Sequence, residues 1–118
     1  MTKRDRDICQ DLFDHRVLNS IHLRQLYFTH PRIASRRLKM LWERRLLDRF
    51  QPKADTGSAP YHYVLDELGA HIIASTRGLD IKKVRDRIRD DALLFTRWTF
   101  AHRMETNDFF CTLTSATR

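Results

Sequence analysis

Apolar residues recur along this chain at helical spacing in five stretches, and at period two in a short stretch among them. Ile8, Leu12 and Phe13, with Cys9, form one stripe, and Thr2-Lys3-Arg4-Asp5 before it has the form of a capping box. The spacing predicts a helix over residues 4–15. Val17-Leu18 reads as a short apolar link. Asn19 or Ser20 then caps a shorter helix over residues 20–27, with Leu23 and Leu26 inward and Ile21 partly exposed. After a break at Phe28-Thr29-His30, Pro31 suits the first turn of a third helix, predicted over residues 31–45. There Ala34, Leu38, Leu41 and Trp42 fall at i, i+4, i+7 and i+8, an apolar stripe. Arg32, Ser35, Arg36, Lys39 and Glu43 take the opposite side.

Residues 46–51 and 61–65 are rich in apolar, aromatic and β-branched side chains, and residues 52–60 between them are dense in turn formers. This is the pattern of a β-hairpin. Tyr61, Tyr63 and Leu65 share one strand face, His62 and Val64 the other. Helical spacing returns at Leu68, Ile72 and Ile73, with Gly78 placed as a C-cap. Asp80 caps a last helix carrying Ile81, Val84, Ile88 and Phe95, and Lys82–Asp86 and Arg87–Asp91 are i,i+4 pairs on its outer side. Leu93, Leu94, Trp98 and Phe100 widen its apolar surface beyond what one small core needs, which favours dimerisation over packing on the first helix. The predicted fold is mainly α with a small β-hairpin: a winged helix-turn-helix over residues 1–78 and a C-terminal helical extension over residues 79–118. A plain surface loop closing the fold is the alternative to a wing.

Net charge sharpens the picture by its placement. Residues 1–53 hold 13 basic and 6 acidic side chains, and the remainder 9 of each. All the excess lies in the half with the basic helix, as expected for a polyanionic partner. A basic helix lying on a membrane surface would need a bulky apolar face of its own, whereas Leu38, Leu41 and Trp42 are accounted for as core. No apolar run approaches the roughly 20 residues that span a bilayer, and the first residues lack the apolar segment of a secretory signal. A cytoplasmic location is therefore expected.

Signs of chemistry are few. None of the six histidines pairs with another at i+3 or i+4, and no HExxH, GxSxG, phosphate-binding or dinucleotide pattern occurs. Cys9 and Cys111 lie in apolar surroundings and read as reduced core thiols. His102 and Asp108, six residues apart, fall on different sides of a helix, so Asn107-Asp108 reads as capping or packing. The chain is expected to be no enzyme and to use no cofactor, metal or small-molecule ligand.

The blocks Arg36-Arg37-Leu38, Leu46-Leu47-Asp48-Arg49-Phe50, Tyr61-His62-Tyr63-Val64-Leu65 with Leu68-Gly69-Ala70, and His102 followed by Asn107-Asp108-Phe109 occur in that order. Together they resemble the replication-relaxation family, winged-helix proteins of bacterial plasmids and mobile elements. The resemblance covers essentially the whole chain and is weakest at about residues 81–98. It implies double-stranded DNA binding in plasmid replication or in processing at a transfer origin. Two departures stand out. Arg45 replaces the glycine usual before the Leu-Leu pair, which puts the left-handed helix end in question. The chain also stops soon after the Asn-Asp-Phe block, where relatives continue.

Together these readings predict a homodimer that binds a specific duplex site. Arg32, Ser35, Arg36 and Lys39 would reach base edges, and Arg37, Arg49 and Lys53 would hold phosphates. The rival readings are a transcriptional repressor of the same fold and a protein-interaction module whose basic face meets an acidic protein.

Overall fold

The computed structural model describes residues 1–51 and 59–97, with side chains described through Asp90. Among the described residues eight elements follow one another: α1 (Lys3–His15), β1 (Leu18–Asn19), α2 (Ser20–Tyr27), α3 (Pro31–Glu43), β2 (Leu47–Phe50), β3 (His62–Leu65), α4 (Glu67–Arg77) and α5 (Ile81–Arg97). The architecture is mainly helical with a small antiparallel sheet. The expected hairpin is β2–β3, in register Leu47–Leu65 and Arg49–Tyr63. A third strand joins it: Leu18-Asn19, where the sequence pattern marks only the end of an apolar link and a helix cap, pairs with Tyr63 and His62, giving the order β1-β3-β2.

Side chains alternate across the sheet. Leu18, Leu47, Tyr63 and Leu65 join Ile8 and Leu12 of α1, Leu23 of α2, Leu38 and Leu41 of α3, and Ile73 of α4 in the main core. Val17 and Val64 form a smaller cluster with Phe50. Val84 of α5 is buried in the main core too, so the helices on either side of the expected boundary at Gly78-Leu79 share it.

Capping explains where the helices begin. Thr2 and Asp5 make the capping box of α1, and Asn19 and His22 that of α2. His30 caps α3 through Nδ1, which accepts from the Arg32 amide at 3.3 Å. Gly78 ends α4 in the left-handed conformation.

The third helix is shorter than its sequence pattern. It stops at Glu43, because Arg45 turns to φ 62°. The Leu46 amide donates to Leu41 O at 3.0 Å and the Arg45 amide to Trp42 O at 3.1 Å, the paired bonds of a Schellman end. Arginine at the position usual for glycine therefore does not remove the left-handed turn. The next helix docks on it: the Asp66 and Leu68 amides donate to Leu46 O and Arg45 O, each at 3.0 Å. Gly69 makes this approach possible. A β-carbon there would strike the Leu46 carbonyl oxygen and lie 2.8 Å from Leu65 Cδ2.

In the last helix one of the two expected ion pairs is replaced, while the other, Arg87–Asp91, involves a side chain outside the described residues. Asp86 meets Arg89 rather than Lys82, and Arg85 reaches back to Glu67 of α4. Arg87 turns inward, donating to Phe13 O and stacking 3.9 Å over the Phe13 ring of α1. The side chains of Asp91, Leu93, Leu94 and Phe95 lie outside the described residues, as do Trp98, Phe100, His102, Asn107, Asp108 and Cys111. No described helix is long and apolar enough to cross a membrane.

Candidate nucleic-acid interface

α3 divides cleanly. Ala34, Leu38 and Leu41 are 3%, 1% and 1% exposed. Arg32, Ser35, Arg36, Lys39 and Glu43 all face solvent. Arg32 and Arg36 have no carboxylate partner among the described residues. Lys39 meets Glu43 only at 3.9 Å, with both side chains more than half exposed, so the contact neutralises little. The ridge therefore carries uncompensated positive charge.

Arg37 departs from its expected place on a phosphate. One residue further around the helix than Arg36, it is rotated by about 100° toward α1. There its Nε donates to Asp5 Oδ1 at 2.9 Å and its second amino group to Asp5 Oδ2. Asp5 is fully buried and also accepts from the Thr2 amide at 3.1 Å. Burial pushes the Asp5 pKa up, but the hydrogen bonds from Arg37 and Thr2 outweigh it and hold the carboxyl below its usual value. Arg37 thus anchors α3 to the start of α1.

Arg49 is held in a different way. It shares a sheet face with Tyr63, which turns it toward α3. Its guanidinium carbon lies 3.8 Å from the Trp42 ring centroid and 4.2 Å from that of Tyr61. Such a stack fixes a planar cation while leaving its N–H edge available. Burial raises the Tyr63 phenol pKa, opposed by its hydrogen bond with Arg49. The stack sits beside a cleft of about 260 Å³ between α2, α3 and β3, lined by Ser20, Arg24, Ser35, Lys39, Arg49 and Tyr61 among others. Lys53 lies in the segment 52–58, outside the described residues.

The structure thus gathers Arg32, Ser35, Arg36 and Lys39 on one ridge, with Arg49 beside it. It adds residues that the sequence pattern did not mark. Arg44 and Arg45 are exposed at the end of the ridge, and Arg24 lines the cleft. Trp42 and Tyr61 grip Arg49. Trp42 escaped notice because its spacing matches the core stripe, although it is only half-buried.

Nothing in this region is arranged for metal binding: no three His, Cys, Asp or Glu side chains gather suitably among the described residues. Cys9 is buried, and that burial, with the Asp5 charge nearby, pushes its thiol pKa up to about 12, so it is an unreactive core thiol at neutral pH.

The chain is similar in fold to the crystal structure of RV1404 from Mycobacterium tuberculosis, with a TM-score of 0.53 and 18% sequence identity. The match covers 99% of this chain and 74% of that one. No curated protein matches. The family model for replication-relaxation matches residues 10–118, most of the chain. The ordered sequence blocks and this match agree: the chain belongs to the replication-relaxation family.

Proposed function

We propose that the protein is a winged-helix, site-specific binder of double-stranded DNA, acting as a homodimer in plasmid replication or in DNA processing at a transfer origin. In this reading it works by binding rather than by catalysis. The observation that carries it is the exposed ridge of Arg32, Arg36 and Lys39, without effective internal neutralisation and beside a β-hairpin. A basic helix of this width fits a major groove, where arginine pairs with guanine and the flanking cations meet phosphates. Arg49 and Lys53 supply such flanking cations from the hairpin side. Family membership supports the replication and relaxation theme.

The test is selection of bound duplexes from a random pool by the full chain, followed by titration at two salt concentrations. A defined motif, palindromic for a homodimer, is expected. Arg36→Ala should cost roughly 1–3 kcal/mol on that motif and relax one position. Lys53→Ala should weaken all sequences alike and reduce the salt slope by about one. No retention of any duplex at low salt would refute the reading and favour an acidic protein partner. Footprints at promoters rather than at replication or transfer origins would indicate a repressor.

A further inference from the structure

Glu43 stands on the ridge among the cations, and the fold gives it no strong internal partner. It follows Arg32 by 11 residues, so the two lie within about 20° of each other around the helix. Its side chain is 57% exposed, and its ion pair with Lys39 is at 3.9 Å, the weaker Lys-to-Glu order along a helix. A carboxylate on a surface that meets a polyanion weakens binding unless it accepts a hydrogen bond there. In the major groove the exocyclic amino group of cytosine offers that hydrogen, and the phosphates beside it would be met by the exposed Arg44 and Arg45.

Resting on the DNA-binding reading above, we propose that Glu43 is a specificity-determining residue that selects cytosine at one position of the site. Eleven residues of helix rise span roughly 16 Å, or about five base pairs where the helix lies along the groove. The selected cytosine is then about five pairs from the guanine read by Arg32, with the position read by Arg36 between them.

The experiment is the same random-pool selection, run with the wild-type full chain, Glu43→Ala, Glu43→Gln and Arg32→Ala. The wild-type motif should contain a cytosine preference of about five- to ten-fold, in the range of a single good base contact. Glu43→Ala should lose preference at that position alone. Glu43→Gln should shift it toward adenine, which glutamine pairs well. Arg32→Ala should relax a different position, about five pairs away. If the Glu43→Ala motif superimposes on the wild type while affinity rises for every sequence, Glu43 is only repulsive and the proposal fails, although DNA binding stands. If the wild type retains no duplex, the proposal falls with the reading beneath it.

Discussion

Arginine at position 45 is in a conformation that glycine adopts at little cost, and replacing it makes a sharp test. At φ 62° its β-carbon crowds the following carbonyl, a cost of about 1–2 kcal/mol for a residue other than glycine. Glycine removes that cost but loses about 0.5–1 kcal/mol to its freer unfolded chain. The paired bonds at this helix end, and the docking of α4 on the Arg45 carbonyl, use backbone atoms only, so glycine retains them. The Arg45 side chain is exposed and its loss uncovers no core. Arg45→Gly should therefore stabilise the fold by about 0.5–1 kcal/mol, raising the melting temperature by roughly 2–6 °C. Thermal and urea unfolding of the two proteins side by side would measure it, with an unchanged urea slope expected. In the DNA-binding reading the same variant should bind duplex more weakly and lose up to about one unit of salt slope. A lower melting temperature would refute the account of this turn.

Three further outcomes follow from the geometry. Arg37→Ala should destabilise by about 2–4 kcal/mol at pH 7, because it leaves the buried Asp5 carboxylate without its cation. Since the native Asp5 pKa lies below its unfolded value, its stabilising contribution is present above that unfolded value and fades as pH falls through the native one, so urea midpoints of the two proteins should converge in acid. His62 is buried, and burial, reinforced by the nearby His22, lowers its pKa despite the contact with Pro60 O. The unfolded chain then takes up a proton first as pH drops below about 6.5, so stability should fall from pH 7 to pH 5, and His62→Gln should flatten that slope. Gly69→Ala should cost about 1–3 kcal/mol in chemical unfolding, because the added methyl meets the Leu46 carbonyl and Leu65.

Much of the fold was legible because local signals agreed with one another. Thr2-x-x-Asp5, Asn19 and Pro31 mark helix starts that the structure places at Lys3, Ser20 and Pro31. Turn formers at residues 52–60 separate two strands whose alternation matches their register. Most of what escaped depends on partners far away in sequence. β1 is two residues long, too short for period two to show, and exists because β3 offers an edge. Arg37 carries no mark separating it from Arg36, yet one faces Asp5, 32 residues earlier, and the other faces water. Trp42 looks like core by spacing but serves as half of a clamp on Arg49. The ridge itself was readable because helical periodicity alone sorts its residues from the buried ones.

The link between Asp5 and Arg37 bears on how this protein is handled at the bench. Sequence similarity to the family begins at residue 10, which invites trimming at that point. Such a trim deletes the acidic brace of α3 while leaving intact every sequence block that carries the family resemblance. A version cut there would keep the arginines of α3 but lose their brace together with the buried Ile8 and Cys9 of α1, and a negative binding result from it would say nothing about the intact chain.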